Sequence, residues 1–155
     1  MKAKGTPQGY HTLNPILRVP NAAAALNFYE TAFNAKEDFR REMHGKLLIA
    51  VIIIGDSRLL ISDQGNNPDK ISGGDPRGNG LDLKIYVDGV DKVFHRAIRC
   101  GASEEEAVRD TDWGERSGSV VDPFGFTWRL AELLDDVPHE EIERRMRTKG
   151  DRATA

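Results

Sequence analysis

The chain repeats the same order of sequence features twice, and this repeat constrains its fold more than any other feature. In both halves a short strand pattern ending in Val precedes a helical pattern, and further strand patterns and a Gly-containing turn follow. The offset is 67 residues between Phe33 and Cys100, at the ends of the two helical patterns, and 70 residues between Gly55 and Gly125, in the last turns. A near-constant offset over several landmarks indicates two copies of one structural unit.

Hydrophobic periodicity predicts a β-α-β-β-β order in each half. The first half contains predicted strand 13–19, helix 22–33, and strands 37–42, 46–54 and 58–62. The second contains predicted strand 81–87, helix 90–100, and strands 106–109, 117–121 and 126–131, and a short C-terminal helix is predicted over 138–147. Asn21 and Asp88 are candidate N-caps of the first two helices, and Asn34 can end the first in a left-handed turn.

This order divides the chain into five predicted segments. They are a flexible arm (1–10), a first βαβββ module (11–63), a linker loop (64–79), a second βαβββ module (80–134), and a C-terminal helix and tail (135–155). The linker is assigned because it is the one interior stretch rich in Gly, Asn, Asp and Pro. Together these elements predict an α+β protein.

Charge and composition exclude several classes of partner. The net charge of −3 and the pI near 5.8 provide no basic surface for nucleic acid. The longest apolar run, 47–54, has the length of a strand rather than of a membrane span, and the N-terminus lacks the apolar core of a signal peptide. Cys100 is the single cysteine, so no internal disulfide can form. We therefore expect a cytoplasmic protein without nucleic-acid or membrane partners.

Several short motifs occur in a fixed order over about residues 10–147. They are Asn14-Pro15-Ile16-Leu17-Arg18-Val19, Phe33-Asn34-Ala35, Ile54-Gly55-Asp56-Ser57, Trp113-Gly114-Glu115-Arg116-Ser117-Gly118, Asp122-Pro123-Phe124-Gly125, and an Asp-Val-Pro-x-Glu-Glu run before paired arginines. In this order they resemble the glyoxalase/bleomycin-resistance/dioxygenase proteins, which form the vicinal oxygen chelate superfamily, and in particular its PhnB-like branch.

The resemblance implies a glyoxalase/bleomycin-resistance fold, in which two βαβββ modules form curled mixed sheets that enclose a cavity. It also implies a homodimer. Members include metal-dependent lyases, epimerases and dioxygenases, and metal-free proteins that sequester antibiotics. The fold therefore does not fix the function.

The metal-ligand positions of such relatives lie on the first and last strands of each module. Carried over to this chain, they fall on Asn14, Asp82, Arg129 and Leu59, with Ile61 as the alternative to Leu59. An arginine repels a divalent cation, and leucine or isoleucine has no donor atom. Asn14 and Asp82 alone would make a site of only two oxygens. We therefore expect no metal and no cofactor, and an ion pair between Asp82 and Arg129.

Residues on the strand faces of those positions, with one loop aromatic, are the candidate ligand-binding residues: Asn14, Ile16, Asp82, Lys84, Tyr86, Trp113, Thr127 and Arg129. A polar, partly aromatic face opposed to an apolar one is typical of a ligand cavity. The alternative is an ordinary solvated sheet face and, for Trp113, a loop anchor in the core. Glu115 and Arg116 are predicted to form a surface pair.

Three functions remain open. The first is a metal-independent binding protein that sequesters an antibiotic or metabolite in a dimer cavity, and the vacant ligand positions favour it. The second is a lyase, isomerase or dioxygenase type of enzyme that uses a non-standard metal site at Asn14 and Asp82, or acid–base chemistry at Asp82 or Tyr86 with Arg129 holding an anionic substrate. The third is a regulatory or scaffolding dimer that uses the 64–79 loop or the tail helix.

Overall fold

The structure, a computed structural model, describes residues 5–63 and 80–153. The predicted linker 64–79 and the first four residues of the predicted arm lie outside the described residues. The first half contains β1 (Ile16–Val19), α1 (Ala22–Phe33), β2 (Lys36–Met43), β3 (Lys46–Ile54) and β4 (Ser57–Asp63). The second contains β5 (Asp82–Tyr86), α2 (Val90–Arg99), β6 (Ser103–Asp110), β7 (Glu115–Val121), β8 (Thr127–Leu133) and α3 (His139–Ala153). The repeated β-α-β-β-β order is confirmed.

Backbone contacts divide the chain into two compact units. Unit 1 comprises the described residues of 1–81 together with Pro123–Phe126, and unit 2 comprises those of 82–122 and 127–155. Each unit contains a four-stranded mixed sheet, in the order β1-β4-β3-β2 in unit 1 and β5-β8-β7-β6 in unit 2. In both sheets the first strand is parallel to the last, and the other neighbours are antiparallel. The architecture is the predicted α+β fold with a C-terminal helix.

Helix α1 begins and ends at the predicted residues. The Asn21 side chain accepts a hydrogen bond from the Ala24 N–H at 3.0 Å, which satisfies one of the free donors of the first turn. Asn34 follows the last turn with φ 55°, in the left-handed region that asparagine tolerates.

Aromatic side chains fill the core of unit 1 around α1. The Phe28 ring meets the rings of Tyr29, Phe33 and Phe124 edge-on, with centroid distances of 5.4, 5.7 and 6.2 Å. Edge-on contacts suit the charge distribution of aromatic rings. Phe124 belongs to the predicted Asp-Pro-Phe-Gly turn, so this turn contributes to the core of unit 1.

The core of unit 2 lies between its sheet and α2. Trp128 on β8 is buried, and its Nε1 donates to the Asp122 carboxylate at 2.8 Å. A buried indole N–H needs such an acceptor, because an unsatisfied donor would cost about 1–3 kcal/mol. Leu130 on the same strand face is likewise buried.

The predicted N-cap of α2 is wrong. Gly89, not Asp88, occupies the cap position with φ 71°, and it has no side chain to accept a hydrogen bond. Instead, Glu132 on β8 accepts the Val90 N–H at 3.0 Å. A carboxylate is favourable there, because the first turn of a helix presents free N–H groups and partial positive charge. A strand distant in sequence therefore supplies the cap.

Several further boundaries differ from the prediction; β1, for example, begins at Ile16 rather than at residue 13. β7 begins at Glu115 rather than Ser117, and α3 continues to Ala153 rather than 147. The last turns of α3 lack apolar spacing, so the sequence pattern does not mark them as helical. No helix within the described ranges is long and apolar enough to cross a membrane.

Candidate ligand-binding site

The sheet of unit 2 has a polar face on the side opposite α2. Strand register places Asp82 beside Thr127, Lys84 beside Arg129, and Tyr86 beside Ala131. Cross-strand neighbours project from the same face of a sheet, so five of the predicted ligand-binding residues share this face. Register of β7 against β8 adds further members to it. We define the polar face of unit 2 as Asp82, Lys84, Tyr86, Glu115, Ser117, Ser119, Thr127 and Arg129.

A buried carboxylate lies at one end of this face. Glu115 is only 6% exposed and accepts four hydrogen bonds: two from Lys84 Nζ at 2.9 and 2.8 Å, one from the Tyr86 hydroxyl at 2.6 Å, and one from Trp113 Nε1 at 2.8 Å. We call these four residues the Glu115 cluster. Three predicted ligand-binding residues thus converge on a residue that the sequence assigned to the surface.

Electrostatics keep the Glu115 cluster ionised. Burial by itself disfavours the charged forms of both groups. The hydrogen bonds from Lys84, Tyr86 and Trp113 outweigh burial and lower the pKa of Glu115 below its ordinary value, and its partner Glu115 raises the pKa of Lys84. The Lys84 ammonium also lies 4.9 Å from the centre of the Tyr86 ring, within the range of a cation–π contact. At neutral pH the carboxylate and the ammonium are both charged.

Strand alternation separates Glu115 from Arg116. Successive side chains of β7 point to opposite faces, so Glu115 lies on the polar face and Arg116 on the α2 side. There Arg116 Nε donates to Asp91 at 2.8 Å and Nη1 to Asp110 at 3.0 Å. The predicted surface pair of Glu115 and Arg116 is therefore wrong.

Trp113 lies in a short loop, 111–114, that leads into β7. It is half-buried, and the contact of its indole N–H with Glu115 directs it to the cluster. Gly114 has φ 86°, which favours glycine, and its carbonyl accepts from the N–H groups of Leu134 and Asp135 at 2.8 and 3.1 Å. The loop is thus held by main-chain hydrogen bonds to the segment after β8.

Arg129 does not pair with Asp82 as predicted. Its Nη1 donates to Glu106 on β6 at 3.2 Å. In the parallel register of β5 and β8, Lys84 lies beside Arg129, whereas Asp82 lies beside Thr127. A break in the register of β6 around residues 104–106 allows Glu106 to reach the neighbourhood of Arg129.

The two predicted residues of the first module belong to unit 1. Asn14 precedes β1 rather than lying in it, and its side-chain amide donates to the His11 carbonyl at 2.7 Å. Ile16 is 53% exposed on β1. Register places Leu60 beside Ile16, so the carry-over of the fourth ligand position to Leu59 or Ile61 is one residue out of phase. Leu59 and Ile61 are buried on the face of α1.

The side chains at these positions do not fit a divalent metal ion. Among the residues that the structure describes, no group of three or more His, Cys, Asp and Glu side chains is arranged to hold one. On the polar face, Lys84 and Arg129 lie beside each other and repel a cation. Leu60, on the face of Ile16, supplies no donor atom.

Comparisons with known proteins agree with this fold. The family model of the Glyoxalase/Bleomycin resistance protein/Dioxygenase superfamily matches residues 10–130, so the chain belongs to this superfamily. An uncharacterized protein of Mycobacterium tuberculosis is 35% identical over 146 residues, which cover 90% of this chain and 84% of the relative. A solved gene product of Arabidopsis thaliana is 25% identical with a TM-score of 0.66, covering 79% and 99% of the two chains. A solved Bacillus cereus structure named PhnB protein is 16% identical with a TM-score of 0.62, covering 79% and 99%.

Sequence reasoning missed Glu115 and Glu106 as members of the site. For Glu115 a signal was present: it lies two residues before Ser117, so extending the alternation of β7 backward places both on one face. For Glu106 no sequence signal was available, because its position depends on the irregular register of β6.

Proposed function

We propose that this protein is a metal-independent small-molecule binding protein that holds its ligand on the polar face of unit 2. The Glu115 cluster is the observation that carries the proposal. One buried carboxylate fixes Lys84, Tyr86 and Trp113, so these side chains are oriented before a ligand arrives. Pre-oriented groups lose little conformational freedom on binding, which favours affinity.

The exposed parts of the polar face indicate the character of the ligand. Tyr86 is 63% exposed, and its ring offers a flat apolar surface. The side chains of Lys84 and Arg129 keep about a third of their surface exposed and offer charged donors. A flat, amphipathic compound matches this combination of aromatic and polar groups. An antibiotic or metabolite that is sequestered rather than transformed falls in this class.

Metal independence is supported by the charges at the centre of the face. Lys84 and Arg129 are neighbours in register, and both are cations. Each is paired with a carboxylate, Glu115 or Glu106, and the N–H donors that remain can meet an electronegative group of the ligand without a metal ion. Assignment to the PhnB-like branch is supported by the sequence motifs and by the name of the Bacillus cereus structure. A homodimer cavity and a cytoplasmic location complete the proposal.

Metal retention tests the first part of the proposal. Purified, tag-free protein is incubated with Zn²⁺, Ni²⁺, Mn²⁺ or Fe²⁺, desalted, and analysed for bound metal. We expect far less than one ion per chain. Stoichiometric retention of one metal would overturn metal independence and favour an enzyme.

A fluorescent probe tests the location of the ligand site. We expect 8-anilinonaphthalene-1-sulfonate, a flat amphipathic anion, to bind the wild type, and Arg129→Ala to weaken its binding about fivefold, the effect of losing one charged contact of about 1 kcal/mol. The matched control is Arg99→Ala, which removes an exposed arginine from the end of α2. Equal affinities in the two variants would show that the site lies elsewhere.

A second candidate function is acid–base catalysis by Tyr86. The Tyr86 hydroxyl lies 2.6 Å from Glu115, which orients the phenol as a positioned acid or base must be oriented. Arg129 would then hold an anionic group of the substrate. Asp82, the other predicted acid–base residue, is exposed and lies beside Thr127 rather than in the cluster. For this function, Tyr86→Phe would abolish turnover of a lyase or isomerase substrate but retain probe binding. Wild-type turnover in Tyr86→Phe would show that Tyr86 is not the acid or base.

A further inference from the structure

Two basic residues of α3 hold the loop that carries Trp113. Arg145 Nη1 donates to the Asp112 carbonyl at 3.0 Å, and Lys149 Nζ lies 2.7 Å from the Asp112 carboxylate. Residues four apart in a helix lie on the same side, so Arg145 and Lys149 reach one target together. Asp112 immediately precedes Trp113 in loop 111–114.

The position of Arg145 is itself fixed within α3. Glu141 accepts from Arg145 Nε at 2.9 Å and from Arg144 Nη2 at 2.7 Å. The guanidinium of Arg145 therefore spans Glu141 and the Asp112 carbonyl with two of its nitrogens, which fits its rigid planar shape. The apolar stripe of α3 consists of Ile142 and Met146, and Met146 is 54% exposed, so little apolar surface of this helix is buried. One hydrogen bond to a carbonyl, from Arg145, and one ion pair, from Lys149, therefore attach α3 to the loop.

We propose that Arg145 and Lys149 are positioning residues for the ligand site. By holding Asp112, they fix loop 111–114 so that the Trp113 indole stays on Glu115 and lies over one end of the polar face. Displacing Asp112 moves the adjacent Trp113 backbone and breaks the 2.8 Å indole hydrogen bond. The effect on ligands rests on the proposed function, whereas the effect on Trp113 does not.

The two tryptophan indole N–H groups give a direct readout. Trp113 is half-buried at the loop, and Trp128 is buried in the core on Asp122, so Trp128 is an internal reference. Their NMR signals are assigned with Trp113→Phe, and their hydrogen-exchange rates are compared in the wild type and in an Arg145→Gln/Lys149→Gln double variant. We expect the Trp113 indole to exchange about two- to fivefold faster in the double variant, with Trp128 unchanged, in line with the loss of one partly buried hydrogen bond and one ion pair.

The matched control is Arg147→Gln on the same helix. Arg147 pairs with Glu143 at 3.0 Å within α3, and both side chains are largely exposed. This variant removes a positive charge from α3 but leaves the Asp112 contacts, so we expect wild-type exchange at both indoles. If the double variant and Arg147→Gln give the same Trp113 rate as the wild type, Arg145 and Lys149 do not position the loop.

A salt titration of the wild type distinguishes a local effect on loop 111–114 from general destabilisation of the double variant. If both indoles exchange faster in that variant, raising NaCl from 0.05 to about 1 M in the wild type decides the question, because salt screens exposed ion pairs. Selective acceleration of Trp113 supports the inference, and equal rates at both salt concentrations overturn it. Probe binding then separates the two proposals. If the double variant alters Trp113 exchange but not the affinity for 8-anilinonaphthalene-1-sulfonate, the proposed ligand site is contradicted, whereas the role of Arg145 and Lys149 in holding the loop is supported.

Discussion

Lys84 and Glu115 lie 31 residues apart in the chain, yet the Lys84 ammonium donates to both carboxylate oxygens of Glu115. The two residues belong to β5 and β7, which are separated in the sheet by β8. Lys84 lies beside Arg129 and Glu115 lies beside Leu133, so the two residues are also offset by four positions along β8. Their side chains must therefore extend toward each other along the sheet as well as across it. β8 contributes the small Ala131 beside Tyr86 and Ser117, which leaves room for this crossing.

Glu115→Gln is expected to lower the free energy of unfolding by about 2 kcal/mol. The neutral amide removes the charge that Lys84 requires and brings its own N–H donors toward it, at a position that is nearly buried. Urea denaturation measures the loss through the midpoint at constant slope. Glu106→Gln is the control, because Glu106 is half-exposed and makes one 3.2 Å contact. That variant should lose less than about 0.5 kcal/mol, and an equal loss in both would contradict the role of the Glu115 cluster.

The stability difference between the wild type and Glu115→Gln should depend on pH. Because the folded protein lowers the pKa of Glu115, its contribution is present above the ordinary value of 4.5 and is lost as pH falls through the lower folded value. Because the pKa of Lys84 is raised, its contribution is present below 10.5 and is lost as pH rises through the higher folded value. Urea unfolding between pH 3 and pH 9 should give a constant difference from about pH 5 upward that shrinks toward pH 3. A difference that grows on acidification would have the wrong sign.

Gly114→Ala should be far more damaging than Gly55→Ala. Both glycines have positive φ, of 86° and 59°, and a side chain there costs about 1–2 kcal/mol. At Gly114 an added Cβ would also lie 2.0 Å from the Asp135 carbonyl oxygen, whereas at Gly55 it would meet nothing within 4 Å. We expect a loss of about 3–4 kcal/mol for Gly114→Ala, measured by thermal or urea unfolding. Similar losses in the two variants would show that the loop can move aside.

Glu132→Ala tests the helix cap that sequence reasoning misplaced. Removing the carboxylate leaves the Val90 N–H without its 3.0 Å acceptor and should cost about 1 kcal/mol of stability. Asp88→Ala, at the residue that the sequence nominated, should change stability by less than about 0.5 kcal/mol. The reverse order of the two losses would restore Asp88 as the cap.

The sequence alone determined the elements and the division of polar and apolar faces. Side chains that share a face recur at every second position of a strand and at nearly every fourth position of a helix. The local pattern therefore predicted α1 and the shared face of Lys84 and Tyr86. It also predicted both caps of α1, Asn21 and Asn34. The repeat of order predicted two copies of one structural unit, and the two sheets have the same strand topology.

Only the tertiary structure decided which charges meet. Pairing across strands depends on register. Asp82 lies beside Thr127, two residues away from Arg129, and Arg129 pairs with Glu106 of β6 instead. Burial likewise depends on what covers a residue. Glutamate is usually exposed, but Glu115 is buried because Lys84, Tyr86 and Trp113 converge on it from a distant strand and a neighbouring loop. Contacts between residues distant in sequence depend on how the strands pack, and the local sequence pattern does not predict them.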